Sequence, residues 1–395
     1  MSSHEGRRYL TTHPWITFRF NVDRLRPETW ALLGEVASTW EYLAGSAMPP
    51  DFAKELNLLS LERGAYGTAS IEGNTLTEAE VRAIVEGGSA LPPSRAYQAQ
   101  EIENLLDLFN DITRDCLSGA PPLSPTRLKE QHAHLLVGQP TKEDVIPGEF
   151  RAHSVGVGRY RGAPAEDCEY LVDRLCTWLN DELENLSGND GVLHGPRVVI
   201  LATLAHLHLA WIHPFGDGNG RIARLLELEI LLRSGVPVPA AHLLSDHYNK
   251  TRDMYYGILE RTSRADGYPV EDFVHYAVQG LVDGLRDHIN KVQSMQMTIM
   301  WHSYIHEVFR GHHTAAKVRR RDVVLALPPG QWTKRDDIVM LSKEINDLYR
   351  SKTDKTMSRD LNALEKTGLV ERRRGKGVRP RIELMAAYLP DRREQ

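Results

Sequence analysis

The chain has 395 residues, enough for more than one compact unit and a large core. Its 48 Lys and Arg against 53 Asp and Glu give a net charge of −5, so global charge names no polyanionic partner, yet residues 317–394 alone carry 20 basic and 12 acidic side chains. Cys116, Cys168 and Cys176 are few, odd in number and not spaced as metal ligands, which argues against a disulfide framework; with no apolar leader and no apolar run approaching bilayer length, the expectation is a soluble cytoplasmic protein with no membrane partner.

Residues 1–20 are polar with scattered aromatics (Trp15, Phe18, Phe20) and carry no periodic signal. From Glu28 to Ala44, Trp30, Leu33, Val36, Trp40 and Leu43 recur at helical spacing, and Met48-Pro49-Pro50 breaks the chain before a second helix from about Asp51 to Arg63. Thr68-Ala-Ser-Ile-Glu-Gly-Asn74 reads as a helix end stopped by Gly73 and Asn74. Thr77 and Glu80 have capping-box spacing and open a helix that stops near Gly87-Gly88. Tyr97 to Leu117 is helical, with Ile102, Leu105, Leu106, Phe109 and Ile112 as its buried stripe. Ser124 then caps a helix through Leu136.

Between Val145 and Val157 the pattern turns to short alternation, predicting a β-hairpin on which His153 is an exposed residue of no assigned role. Glu166 to Asn185 is helical. Pro196 opens a helix to about Trp211 that is apolar almost all round, so it should be the central buried helix. His206 and His208 on it face different sides, and no carboxylate of that helix completes a metal set; they read as core histidines.

The stretch Trp211-Ile-His-Pro-Phe-Gly-Asp-Gly-Asn-Gly-Arg-Ile-Ala-Arg224 concentrates the chemistry. Gly216, Gly218 and Gly220 disfavour helix, so His213 to Asn219 should be a loop, with helix from about Gly220 to near Gly235. A glycine-rich loop opening a helix presents backbone N–H groups at the positive end of the dipole, a site for phosphate. Arg221 and Arg224 are three residues apart and share a face, where both can meet one polyphosphate. Further on, Pro269 to about Val292 reads as a helix leading into a polar, Met-rich passage to about Trp301. Lys317 to about Leu389 reads as a winged helix-turn-helix: Thr333 caps one helix, Thr356 to Thr367 forms another with Met357, Leu361 and Leu364 inward, and residues 369–382 form a basic hairpin.

The motif matches the signature His-x-Phe-x-Asp/Glu-Gly-Asn-Gly-Arg-x-x-Arg at every fixed position (His213, Phe215, Asp217, Gly218, Asn219, Gly220, Arg221, Arg224), and in this the chain resembles the Fic family. The resemblance implies a mainly α fold: a helical bundle with a small β-hairpin flap, plus a C-terminal winged helix. The expected domains are an N-terminal helical region over 1–115, a Fic domain over 116–300 and a winged helix-turn-helix over 301–395.

By the same resemblance the activity is protein adenylyltransfer, AMP passing from ATP to a Ser, Thr or Tyr hydroxyl of a protein. His213 becomes the general base, because an imidazole titrates near working pH. Asp217 becomes the ligand of Mg²⁺, a hard cation suited to carboxylate and phosphate oxygens. Asn219 and the amides of Gly218, Gly220 and Arg221 hold the α- and β-phosphates, and Arg221 and Arg224 clamp the rest. Pro214 and Phe215 are structural. Leu244 to Tyr256 resembles the family's Ser-x-Tyr-x-x-x-Asn-Arg-x-x-Tyr-Tyr stretch, so Tyr255 and Tyr256, with Leu259, line an adenine pocket; core packing of either tyrosine is the competing reading. The chain departs from the pattern at His247 and Thr251.

Thr68, Glu72 and Gly73 resemble the inhibitory signature Ser/Thr-x-x-x-Glu-Gly/Asn, which implies that Glu72 pairs with Arg224 and displaces the γ-phosphate. Gly148, Arg151, Val155 and Val157 resemble the family's flap, on which Val155 and Val157 would dock a target protein as an added strand. Self-modification and a homodimer stay open, as does duplex DNA as a partner of the C-terminal module, where Arg359 would be exposed and Arg372 to Arg374, Lys376, Arg379 and Arg381 would sit on the wing. Two other activities also stay open: hydrolytic removal of AMP, and a DNA-binding regulator whose Fic domain senses nucleotide. A phosphate-transferring variant is disfavoured by the intact Gly218-Asn219-Gly220 core.

Overall fold

The structure is a computed structural model that describes residues 6–88, 91–187, 193–311 and 314–386. The chain forms two compact units, Met1–Ile289 and Asn290–Gln395, so the first unit holds both the segment expected as 1–115 and the expected 116–300 segment as far as Ile289.

The first unit is built around α8 (His194–Ile212), preceded by α1 (Tyr9–Thr12), α2 (Pro27–Gly45), α3 (Pro50–Ile71), α4 (Glu78–Val85), α5 (Ala96–Ser118), α6 (Pro125–Leu135) and α7 (Cys168–Ser187). α8 is long and apolar enough (mean hydropathy 1.3) to span a bilayer by length and composition, which corrects the expectation that no such run exists. Its apolar surface serves the core instead: Val198, Val199, Leu204, Leu207 and Leu209 are buried against α2, α7 and α9 (Asn219–Arg233). Each such side chain withdrawn from water contributes about 1.5–3 kcal/mol. His206 and His208 are both core residues: His206 is satisfied by Tyr255 Oη (2.9 Å) and Glu227 (3.2 Å), while His208 Nδ1 donates to Leu204 O (2.8 Å) and its Nε2 is buried without a partner.

α3 runs on past Arg63 to Ile71, where the sequence suggested an earlier stop. Gly64 and Gly67 are contact points here, not terminators. A Cβ on Gly64 would sit 2.5 Å from the His242 ring, and one on Gly67 would sit 2.6 Å from Ser245 O. Their absence lets α10 (Val238–Ala241) and α11 (Leu243–Lys250) close on α3. The helix therefore delivers Glu72, its C-cap residue, into the centre of the unit, and Gly73 turns the chain with φ +101°. α4 has the expected capping box of Thr77 and Glu80, and α5 links the N-terminal helices to α6 and α9. The hairpin is shorter than expected: β1 (Gly156–Val157) pairs with β2 (Tyr160–Arg161), while residues 145–155 are irregular, with one turn at 147–148.

α12 (Arg252–Arg264) is followed by α13 (Val270–Val308), one helix of 39 residues in place of a helix and a polar passage. The segment Val292 to Met300 contains no Gly or Pro and is rich in unbranched Met and Gln, so nothing in it ends the helix. In the second unit Trp301 and Ile305 join a core with Val323, Leu327, Ile338, Leu361 and Val378. This unit contains α14 (Ala315–Ala326), α15 (Lys343–Tyr349) and α16 (Asp354–Lys366), then the antiparallel pair β3 (Val370–Arg373) and β4 (Gly377–Pro380). Thr333 does not cap a helix: its N–H donates to Val378 O (2.8 Å) and its O accepts from Val378 N–H (2.9 Å), a third short rung on the hairpin. Ser342 caps α15 instead.

Candidate active site

α8 ends at His213, a non-glycine residue held in the left-handed region with φ +52°. Arg151 fixes it there. Its Nε donates to His213 O (2.7 Å), and its other nitrogens donate to His153 O (2.7 Å), Ala163 O (2.5 Å) and Ile212 O (3.4 Å). One buried guanidinium thus ties the end of α8 to the base of the hairpin. His213 Nδ1 lies 3.3 Å from Ala210 O. A carbonyl only accepts, so Nδ1 carries the proton and Nε2 carries the lone pair. Burial pushes the His213 pKa down to about 4, which keeps the ring neutral at physiological pH.

The loop beyond His213 is closed from inside. Asn219 Oδ1 accepts from Phe215 N–H and its Nδ2 donates to Phe215 O, each at 2.8 Å. The Asn219 carboxamide is therefore a loop staple, which leaves its backbone N–H as the group that faces out of the helix end. Phe215 stacks on His132 of α6, with ring centroids 3.9 Å apart and planes at 10°. His132 Nδ1 accepts from Gly148 N–H (3.0 Å), so its Nε2–H donates to Asp217 O (3.0 Å). Asp217 itself is half exposed, and its Oδ1 accepts from Gly218 N–H (2.6 Å), which removes that amide from the expected phosphate set. The first-turn amides of α9 at Asn219, Gly220 and Arg221 have no intrahelical acceptor and point out of the helix end.

The two arginines have different surroundings. Arg221 does not stand free to clamp phosphate: Nη1 donates to Glu101 Oε1 (2.6 Å) and Nη2 reaches Asp217 Oδ1 (3.4 Å). Glu101 in turn accepts from Asn74 Nδ2 (2.9 Å), so the carboxylate joins Arg221 to the segment after α3. Arg224 Nη2 donates to Glu72 Oε1 (2.7 Å) and to Thr68 O (3.0 Å). Burial raises the Glu72 carboxyl, but the Arg224 and Arg221 guanidiniums outweigh it and hold its pKa below the usual range. Gly220 makes the approach possible, since a Cβ there would sit 2.2 Å from Glu72 Oε1. Arg252 donates to Ser70 O and Ile71 O, and Tyr256 Oη donates to Ile71 O (3.2 Å), which anchors the end of α3 beside the motif. Among the described residues, Nε and Nη1 of Arg224 and Nε of Arg221 are buried donors without an acceptor.

A cavity of about 380 Å³ is lined by Glu72, His213, Gly220, Tyr255, Tyr256, Leu259 and Val157, whereas Asp217, Gly218, Asn219, Arg221 and Arg224 do not line it. The volume lies in the range of small-molecule sites. Tyr255 is mainly a core residue, stacked on Tyr248 at 4.8 Å and hydrogen-bonded to His206, with one edge on the cavity. Tyr256 forms the rim. Val155 does not line the cavity, and its carbonyl accepts Gly162 N–H (3.1 Å) within the hairpin. Sequence reasoning missed Glu101 and His132 altogether, saw Arg151 only as part of a flap and Arg252 only inside the 244–256 stretch, because nothing local marks a residue whose partner is far along the chain.

Mg²⁺ fits this geometry in one mode. No group of three or more His, Cys, Asp or Glu side chains forms a protein cage among the described residues, whereas Asp217 offers a half-exposed carboxylate beside the α9 amides. One carboxylate completed by substrate phosphates and water is a usual arrangement for this ion.

Residues 122–231 match the family model described as the Fic/DOC family. A protein adenylyltransferase Fic of Nematostella vectensis is 30% identical over 218 residues, 55% of this chain and 47% of its own. The chain thus spans about half the length of that curated relative. Two solved structures share the fold. A Fic domain containing signaling protein from Bacteroides thetaiotaomicron has a TM-score of 0.54 and 24% identity, covering 67% of this chain and 98% of that one. A Fic family protein from Desulfovibrio desulfuricans has a TM-score of 0.54 and 21% identity, covering 90% of this chain and 96% of that one.

Proposed function

We propose that this chain, whose residues 122–231 match the Fic/DOC family model, is a protein adenylyltransferase restrained by Glu72. The observation that carries this reading is the single cavity in which His213, Gly220, Glu72 and Tyr256 meet. His213 Nε2 takes the proton of an incoming Ser, Thr or Tyr hydroxyl. The freed oxygen bonds to the α-phosphorus of ATP, the bond from that phosphorus to the bridging oxygen breaks, and diphosphate leaves. The amides of Gly220 and Arg221 and the unsatisfied nitrogens of Arg224 receive phosphate oxygens, donors already oriented before the charge arrives. Asp217 would hold Mg²⁺, which when bound neutralises charge on the phosphate oxygens. Tyr256 and Leu259 face the nucleobase. Val157 places the hairpin edge beside the site, where a target segment adds as a strand.

Glu72 occupies Arg224 Nη2, so a triphosphate that enters meets a carboxylate where its γ-phosphate should bind. Labelled ATP with Mg²⁺ and a cell lysate, given to wild type, Glu72→Gly and Glu72→Gly/His213→Ala, tests both parts. Label should pass to protein most strongly with Glu72→Gly and not at all with the double variant; equal labelling by all three ends the reading. Hydrolytic removal of AMP is the second reading, favoured by Glu72 and His213 lining one cavity. Release of AMP from an AMPylated protein by wild type but not by Glu72→Gly would mark it.

A further inference from the structure

We propose that the second unit binds duplex DNA, with α16 in the major groove and the β3–β4 wing on the phosphate backbone. This function is separate from the nucleotide cavity. Residues 290–395 hold 22 Lys and Arg against 13 Asp and Glu, in a chain whose total is net acidic. That charge is gathered on one helix face. Lys355, Arg359, Asn362 and Lys366 fall at i, i+4, i+7 and i+11 of α16 and are all exposed, while Met357, Leu361 and Leu364 on the other side are buried. Arg, Lys and Asn are the side chains that read guanine and adenine edges. The wing continues the stripe. Arg372 donates to Asn362 Oδ1, which docks β3 against the helix, and the exposed turn residues Arg374 and Lys376 extend beyond it. Between helix and wing lies a cleft of about 640 Å³ whose charged lining is Lys334, Arg335, Arg372, Arg373 and Arg374 against one carboxylate, Glu365, which pairs with Arg372 (3.5 Å).

The chemistry of this face selects among polyanions. Protein interfaces rely on apolar and aromatic anchors, and among the described residues no large hydrophobic side chain is exposed on α16 or the wing. Single strands need an aromatic platform for base stacking. The tryptophan at hand, Trp332, already has the Arg373 and Arg379 guanidiniums over its ring at 5.2 Å and 5.1 Å. Duplex RNA has a major groove too narrow for a helix, whereas that of B-DNA admits one. Glu371 pairs with Arg379 (2.7 Å) and Arg373 (3.3 Å), so the phosphate contacts fall chiefly to Arg374, Lys376 and Lys334.

The test is fluorescence anisotropy of the full chain with a labelled duplex of about 20–30 base pairs and random sequence, between about 50 and 200 mM salt. Wild type should bind with an affinity that falls linearly on a log–log plot, and Arg374→Ala/Lys376→Ala should lower the slope by about 2, near 0.9 per lost phosphate contact. Arg359→Ala should retain that slope but lose any preferred sequence recovered by selection from a random duplex pool. All substituted residues are exposed, so thermal melts and protein labelling should match wild type. Absence of duplex binding at about 50 mM salt by a chain with an unchanged melt would overturn the proposal. So would tighter binding of the single strand, or a wing variant with the wild-type slope; the first result would leave a protein as the partner of this face.

Discussion

The loop from His213 to Asn219 and the hairpin from Gly156 to Arg161 line the same cavity. In the loop, side chains fix nearly every turn: its own Asn219 closes it through Phe215, and from other elements His132 holds Asp217 O and Arg151 holds His213 O. In the hairpin each strand has two residues and Val157 is exposed. Its ties to the core are few, including Tyr160 Oη to Trp211 O (2.6 Å) and His13 Nε2 to Arg161 O (2.9 Å). The contrast follows from what each must do. Proton abstraction and phosphate binding fail when an atom is misplaced by about an ångström, whereas adding a strand uses repeated backbone groups that tolerate a range of side chains. Substitutions in the loop should therefore act on turnover, and substitutions in the hairpin on target affinity.

The largest effect should come from His213→Ala. Placed in a Glu72→Gly background, it should lower the transfer rate by about 10²–10⁴-fold, the usual contribution of a general base, with the thermal melt unchanged. A loss below about tenfold would remove His213 as the base. Glu72→Gly alone comes next: freeing Arg224 should raise self-labelling with ATP and Mg²⁺ by up to about 100-fold, the scale of an ångström-sized misplacement. Arg151→Met tests the joint between loop and hairpin. It orphans the backbone carbonyls of His213, His153 and Ala163, whereas Ile212 O keeps the N–H of Ala163 (3.2 Å). Each buried unpaired acceptor costs about 1–3 kcal/mol, so the first unit should melt at visibly lower temperature and turnover should fall with it. A melt within a degree of wild type would show that the clamp is not needed.

How much of this was readable in advance depends on sequence distance. The loop was legible because its glycines, His213 and both arginines sit within one short string, and the capping box at Thr77 and Glu80 was legible for the same reason. The scaffold was not. Arg151 and His213 are 62 residues apart, His132 and Asp217 are 85 apart, and Glu101 and Arg221 are 120 apart. No local pattern announces such pairs. Asn219 was legible only in part: its polarity suits a phosphate, but a partner four residues back in its own loop takes both ends of the side-chain amide. Gly64 and Gly67 are poor helix formers inside α3, and only the approach of His242 and Ser245 shows why they lie there. α13 exceeded its expected end because polarity was taken for a break where helix propensity was unbroken.

The pH response should separate the loop's chemistry from its stability. His213 and His132 are both pushed down to about 4 by burial, from an unfolded value near 6.5. The unfolded chain therefore takes up protons first, and the first unit should lose stability as pH falls from about 6.5 toward 4. The Glu72 carboxyl is held below its usual pKa, so the stability it contributes is present above its unfolded value and is lost as pH falls through the lower folded one. The base itself stays unprotonated throughout most of this window. Transfer by Glu72→Gly should accordingly stay flat from pH 8 to about 5, over a range in which the melting temperature already declines. A rate that instead halves near pH 6.5 would mean that His213 is solvated during turnover.

The smallest effect should come from Val157→Ala. The side chain is exposed and its removal leaves the β1–β2 backbone pairing in place, so stability should move by no more than about 0.5 kcal/mol. If a target segment adds to the hairpin edge through backbone hydrogen bonds, losing two methyl groups trims an apolar contact and nothing else. KM for the protein target should then rise by a factor of only a few, with kcat and the KM for ATP unchanged. Should kcat fall as it does for Arg151→Met, the hairpin would be positioning the reacting hydroxyl, and the division between a precise loop and a tolerant edge would have to be redrawn around Val157.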